Sequence, residues 1–164
     1  MEYRRINESH LAEITEMYIE AFNAPPWNDR WTAETAAKRL RQMMHCDGFI
    51  GLASFTGTIL SGVILGNIEY FYDRTQFHVK EFCVHPRFSG AGIGTSLLRA
   101  FEVHLLEHGV DEVYLITSRT DQTEWFYQKR GFTSWDGMVL MRKALSATNE
   151  SEPAVGDHIH PSVR

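Results

Sequence analysis

The stretch Val84-His85-Pro86-Arg87-Phe88-Ser89-Gly90-Ala91-Gly92-Ile93-Gly94-Thr95-Ser96-Leu97-Leu98 constrains the fold more than any other, because a strand pattern gives way to a helical one through three alternating glycines. A helix N-terminus leaves its first backbone N–H groups unpaired and carries partial positive charge, so it can hold a phosphate without a cationic side chain. Gly90, Gly92 and Gly94 permit the tight or left-handed backbone needed to aim successive amides at one anion. The same glycines also suit a plain strand-to-helix turn, and both readings stand at this point. Two other phosphate motifs do not fit. No Gly-Lys-Ser or Gly-Lys-Thr follows, and the glycine spacing and late position differ from a dinucleotide fingerprint, which comes after the first strand.

Periodicity places this turn within an α/β (α+β) order. Tyr3 to Ile6 reads as a short strand, and Ser9 caps a helix whose Leu11, Ile14, Tyr18 and Phe22 share one face. Pro25-Pro26 stop that helix, and Thr32 caps a second one. Phe49 to Phe55 and Ile59 to Phe71 read as a hairpin around Thr56-Gly57-Thr58, followed by a fourth strand, Phe77 to Val84. After the glycine turn, Ile93 to about His108 is helical, Val110 to Thr117 is a strand, and Asp121 to Arg130 is a short helix closed by Gly131. Phe132 to Trp135 and Met138 to Arg142 complete the pattern as strands around Asp136-Gly137. The expected fold is a mixed, mostly antiparallel sheet of six to seven strands flanked by about four helices. Residues 1–145 read as one domain. Residues 146–164 are polar and read as a tail, disordered or docked on a partner.

Composition excludes several classes. With 16 Lys and Arg against 21 Asp and Glu in 164 residues, the chain has no general attraction for nucleic acid or an anionic membrane. No run of about 18 apolar residues suggests a membrane span, and the N-terminus lacks the apolar core of a signal peptide. Cys46 and Cys83 make no disulfide framework, which fits a reducing cytoplasm. The eight histidines form no metal-ligand spacing, so no metal is expected.

The turn, the Val-x-Pro before it and the Leu-Leu after it resemble the acetyl-CoA-binding motif of the GNAT superfamily of N-acetyltransferases. The family pattern of Gln or Arg, two residues, Gly, one residue, then Gly or Ala falls on Ser89, Gly92 and Gly94, with Ser89 departing from it. Phe126-Tyr127-Gln128-Lys129-Arg130-Gly131-Phe132 is similar to the family's Tyr-x-x-x-Gly-Phe signature, and Thr120 stands where Asn is frequent. The order of elements over residues 1–145 matches as well. The resemblance implies acetyl-CoA as co-substrate, held by Ser89, Gly90, Ala91, Gly92, Ile93, Gly94 and Thr95, with Thr120 and Phe126 contributing. It also implies that a backbone N–H around Cys83 or Val84, after Phe82 on the fourth strand, polarises the thioester carbonyl, and that pantetheine lies along that strand's edge.

Transfer of an acetyl group to an amine needs a base for the amine, donors for the developing oxyanion and a proton for the leaving thiolate. Tyr127 is the candidate acid, against the plainer reading of a core tyrosine before a Gly-Phe turn. Glu81 is the leading candidate base, with His78 and Glu69 as alternatives. Cys83 suggests an acyl-cysteine route, but no Cys-His-Asp or Cys-His-Asn set accompanies it, and direct attack in a ternary complex is simpler. Trp27, Asn28 and Trp31 lie in the loop between the first two helices, which in the family borders the acceptor. Two tryptophans there suit an amine through cation–π attraction, or simply staple the loop to the core. Pro-Trp-Asn with a following Trp is similar to a region of aminoglycoside 6'-acetyltransferase-like members. The expected acceptor is an amine, a small molecule ahead of a protein. A non-catalytic acyl-CoA-binding module is the alternative, and strands near Trp135 and Met138 suggest a homodimer.

Overall fold

The computed structural model describes residues 1–119 and 123–145. The chain divides into two compact units, one of Met1–Ile116 and one that begins at Thr117.

The first unit is built on five strands: β1 (Glu2–Arg5), β2 (Phe49–Thr56), β3 (Ile59–Tyr70), β4 (Thr75–Val84) and β5 (Glu112–Leu115), hydrogen-bonded in that order. β1 to β4 run antiparallel, and β5 joins β4 in parallel after a helical crossover. The helices are α1 (Leu11–Asn23), α2 (Ala33–Met44) and α3 (Ile93–Glu107).

Each start has a local cause. Asn7 forms a capping box over a 3-10 turn, Glu8–His10, that leads into α1, so the cap lies two residues earlier than the expected Ser9. Thr32 caps α2 as expected, and Thr35 completes the capping box with its hydroxyl, doing the work usually given to Glu or Gln.

The two faces of the sheet are covered by different helices. Ile14, Tyr18 and Phe22 of α1 and Ala36, Leu40 and Met43 of α2 pack in one core with Ala53, Phe55, Val63, Leu65 and Cys83. On the other face α3 lies over β2, β3 and β4, with Phe101 edge-on to Phe77 at 5.3 Å. A central strand covered on both sides is buried almost continuously rather than alternately, and β4 is: Gln76, Phe77, Val79, Glu81, Phe82 and Cys83 are all buried.

The second unit contains α4 (Thr123–Gln128), closed by Gly131 at φ 88°. Phe132 to Trp135 and Met138 to Arg142, expected as strands, are not strands; Asp136-Gly137 does form a turn, with the Met138 N–H donating to the Trp135 carbonyl at 3.1 Å. Four- and five-residue segments around one turn need a third strand or a helix beneath them to hold a ladder. Among the described residues the sheet therefore has five strands rather than six or seven, and the strands that suggested pairing between subunits are not formed. Thr120 and the tail from residue 146 lie outside the described residues.

Candidate active site

At its C-terminal end β4 loses one neighbour. β5 pairs with it only from Gln76 to Val79, opposite Glu112 to Leu115, so from Lys80 onward β4 has β3 on one side alone among the described residues. The His85 N–H donates to the Ser61 carbonyl at 3.0 Å, which makes His85 and Ser61 a hydrogen-bonded pair of the antiparallel ladder. Backbone groups alternate sides along a strand, so Cys83 also turns its N–H toward β3, while Phe82 and Val84 turn theirs toward the edge that β5 has left. Of Cys83 and Val84, the alternation turns only the Val84 N–H toward that edge.

Beyond Val84 the chain makes a 3-10 turn, Pro86–Phe88, and then the glycine turn. Gly90 at φ 75° and Gly92 at φ 78° are left-handed, as the sequence suggested; Gly94 is inside α3 and has no such requirement. The turn consumes some amides: Ser89 N–H donates to the Pro86 carbonyl at 3.1 Å and Ala91 N–H to the Phe88 carbonyl at 3.2 Å. Gly92 is the N-cap of α3, and no side-chain hydrogen bond caps the helix there. The N–H groups of Ile93 and Gly94 open α3, where the helix itself supplies no acceptor. A Cβ added at Gly90 or Gly92 would meet no atom within 4 Å. The Ser89 and Ala91 N–H groups, expected to face an anion, serve the turn itself.

A second cluster lies on the face of the sheet beneath α1 and α2. β3 and β4 slip register between Leu65, opposite Glu81, and Gly66, opposite Val79, so Lys80 is bulged out. Phe77 faces α3, and strict alternation would send Glu81 there too; the bulge turns Glu81 to the opposite face, the one His78 occupies. Glu81, expected as the base, is buried there. Its Oε1 accepts from Arg39 Nε of α2 at 2.6 Å and from Tyr18 Oη of α1 at 3.3 Å. It joins both helices to β4, and its oxygen is committed to that pair. Burial, with the Glu81 charge beside it, pushes the Tyr18 hydroxyl up from its ordinary value.

His78 sits differently. Its ring stacks on Tyr114 of β5, with centroids 4.4 Å apart and planes 16° from parallel, and Tyr114 Oη donates to Glu69 of β3 at 2.8 Å. Burial lowers the His78 pKa below that of a free histidine, Glu69 acting against this and Lys80 with it. Asn67 is directly opposite His78 on β3. Asn67 Oδ1 and His78 Nε2 are both buried without a hydrogen-bond partner. Glu69 and His78 are therefore brought together, and Asn67 and Tyr114, which the sequence reading did not single out, complete the group. Asn67 had one signal: it shares a strand face with Glu69 by period-two spacing.

The loop between α1 and α2 is fastened inward. Trp31 N–H donates to Asn23 Oδ1 at 2.8 Å, Trp31 Nε1 donates to Asp29 at 2.9 Å, and the Trp31 ring is edge-on to Tyr18 at 5.3 Å. Trp27 and Trp31 pack against the α1/α2 core, and Asn28 holds φ 52° with its amide donating to the Pro26 carbonyl. Both tryptophans thus staple the loop. The Cys83 thiol, fully enclosed, is pushed well above its ordinary pKa by burial and by Glu81, which suits a core filler and not a nucleophile.

Tyr127 of α4 is buried, its ring edge-on to Phe126 at 5.1 Å and to Phe132 at 5.5 Å. No helix among the described residues is long and apolar enough to cross a membrane, and no three His, Cys, Asp or Glu side chains gather as a metal site.

A search of curated protein sequences finds no match. Solved structures share the fold. An integron cassette protein from the mobile metagenome of V. cholerae superposes with a TM-score of 0.74 at 18% identity, over 87% of this chain and 91% of that one. An aminoglycoside acetyltransferase from an uncultured soil metagenomic sample, in complex with sisomicin, gives 0.67 at 16% identity over 88% and 96%. The aminoglycoside enzyme AAC(6')-Iy, in complex with the bisubstrate analog CoA-S-monomethyl-acetylneamine, gives 0.67 at 16% over 87% and 97%. The sequence model described as the acetyltransferase (GNAT) family matches residues 11–132, a span that takes in α1, the parting of β4 from β5, the glycine turn and α4, and the chain belongs to that family.

Proposed function

We propose that this acetyltransferase moves an acetyl group from acetyl-CoA to a small primary amine by direct attack in a ternary complex. The observation that carries the reading is the α3 N-terminus, left without a side-chain cap behind two left-handed glycines and beside a strand edge that β5 has vacated. Gly92, Ile93, Gly94 and Thr95 would hold the diphosphate, and Phe82 and Val84 would pair with the pantetheine arm. Acetyl-CoA, when bound, supplies an activated thioester. Val84 N–H then donates to the carbonyl oxygen as charge develops on it. His78, neutral because burial opposes its charged form, takes the amine proton. Tyr127 gives its phenolic proton to the departing sulfur. Glu69 attracts the cationic acceptor, and Trp27, Asn28 and Trp31 bound the space it enters. The free Cys46 and the enclosed Cys83 suit a reducing compartment such as the cytoplasm.

Thiol release on mixing with acetyl-CoA and a panel of amino sugars, polyamines and amino-acid amides tests this directly. Binding of acetyl-CoA without thiol release for every amine would leave a non-catalytic acyl-CoA binder. Gly92→Ala forces an L-residue to φ 78° at the N-cap of α3, a strain of about 1–2 kcal/mol that distorts the turn. The expected result is a KM for acetyl-CoA raised at least about tenfold, the loss of roughly one good charge-assisted contact, with kcat changed less; an unaltered KM refutes the cradle.

The two proton-transfer roles separate by pH. Wild-type kcat/KM is expected to fall on the acid side with a midpoint below the ordinary histidine value of about 6.5, since protonation removes the base. His78→Gln should abolish that limb and lower turnover by about 100-fold, within the usual range for a positioned base. Tyr127→Phe should lower kcat at least about tenfold and leave acetyl-CoA affinity unchanged.

A further inference from the structure

Two unsatisfied atoms beneath α1 and α2 belong to one cross-strand pair. Asn67 is 4% exposed, and its Nδ2 donates to the Asp47 carbonyl at 3.2 Å, which fixes the amide so that Oδ1 is the end without a partner. Directly across the ladder, His78 Nε2 is enclosed without a partner as well. Side chains opposite one another on one sheet face start from Cβ atoms about 5 Å apart; the two atoms make no direct hydrogen bond, and one bridging water would satisfy both. A carbonyl oxygen only accepts. A water between them therefore donates to Oδ1, and it accepts from Nε2 when the imidazole proton is there.

The other groups facing the imidazole have different tasks. Tyr114 lies flat on the ring, Glu69 is engaged by the Tyr114 hydroxyl, and Lys80, a cation on the same strand, disfavours protonation of the ring. None of these supplies an acceptor for Nε2. An imidazole with a proton held on one nitrogen presents its lone pair at the other, and the partner of the first decides which is basic.

We propose that Asn67 is a positioning residue for His78: its Oδ1 orients one bridging water to accept from Nε2–H, which keeps the proton on Nε2, so that Nδ1 carries the lone pair offered to the acceptor amine. In the transfer, the amine N–H bond breaks and leaves its electron pair on nitrogen, while a new N–H bond forms at Nδ1. His78 becomes an imidazolium whose Nε2–H still donates to the water held by Asn67. This rests on the reading of His78 as the base.

The test is nitrogen NMR of the intact protein with labelled histidine, combined with pH-rate profiles. Wild-type His78 is expected to be in the Nε2–H tautomer almost completely; a predominant Nδ1–H form overturns the proposal without any mutant. Asn67→Asp puts a carboxylate where Oδ1 stood, which stabilises the imidazolium. Its expected effect is a His78 pKa raised by at least about one unit, with the acidic limb of kcat/KM moving up by the same amount. Asn67→Leu, which keeps an enclosed side chain but offers no acceptor, should give mixed tautomers and turnover at least about tenfold lower. If a folded Asn67→Asp protein shows an unmoved His78 pKa, Asn67 is only a strand anchor. Failure of the base reading looks different: His78→Gln then keeps wild-type turnover and acidic limb whatever the tautomer of His78.

Discussion

Gly66→Ala should lower the melting temperature by about 4–12 °C and take acetyl transfer with it. A Cβ built at Gly66 lies 1.9 Å from the His78 carbonyl oxygen and 2.9 Å from Phe77 Cε1. The oxygen is backbone in the middle of a covered sheet, so it cannot step aside as a side-chain tip would. The penalty belongs at the upper end for overfilled interiors, about 3 kcal/mol, and a chain of this size loses roughly 2–4 °C for each of those. Stiffening of the unfolded chain by alanine returns at most about 1 kcal/mol. The site suffers more than the fold does, because the close approach is the inner side of the Lys80 bulge. Relieving the clash by drawing the bulge flat would turn Glu81 toward Phe101 and Leu97 and carry Phe82 to the face of Arg39. Gly62→Ala is the control: its Cβ would sit 3.2 Å from Leu97 Cδ2 and the Cys83 carbonyl, a tight fit that a few tenths of an ångström relieve, so a loss under half as large is expected. Thermal unfolding of the two variants decides it. A Gly66→Ala protein melting within about 2 °C of wild type would mean that the bulge does not depend on this contact.

The bulge also marks where the sequence stops being readable. Features with short-range causes were legible: the glycine turn, the Thr32 cap, the proline stop of α1 and the hairpin around Gly57 all depend on residues within a few positions of one another. The face to which a β4 side chain points was not. His78 and Glu81 are three residues apart, and period-two spacing puts such a pair on opposite faces. They share a face only because Lys80 is extra, and its cue is a glycine on the neighbouring strand that looks like any other strand glycine. Burial was obscured for a related reason, since β4 is covered by α1 and α2 on one side and α3 on the other, so a carboxylate at 81 carries no sign of being enclosed. Arg39 sits in a helix stretch rich in polar residues, and nothing local distinguishes it from Lys38 or Arg41. The last two expected strands failed differently: Phe132 to Trp135 and Met138 to Arg142 have suitable residues, but a strand is also a property of what lies beside it.

Arg39→Met is expected to cost about 2–3 kcal/mol, and restoring charge balance should recover most of it. Arg39 Nη2 lies 2.5 Å from Glu81 Oε1, and the Glu81 side chain is 3% exposed. Removing one partner of a buried ion pair strands the other charge, a loss of about 3–5 kcal/mol when both are enclosed. Arg39 is 33% exposed at its side chain, so water softens the penalty toward the lower figure. Glu81→Gln alone leaves a guanidinium that solvent can reach and should cost about 1 kcal/mol. The double variant Arg39→Met/Glu81→Gln retains a neutral amide near Tyr18 and should be within about 1 kcal/mol of wild type, giving a coupling of roughly 2 kcal/mol by urea unfolding. Additive losses would show that the pair contributes nothing beyond its members. The same Glu81→Gln protein separates structure from chemistry. If Glu81 ties α1 and α2 to β4 while His78 takes the proton, this variant keeps the wild-type acidic limb of kcat/KM and loses only stability; a vanished limb would return the base to Glu81.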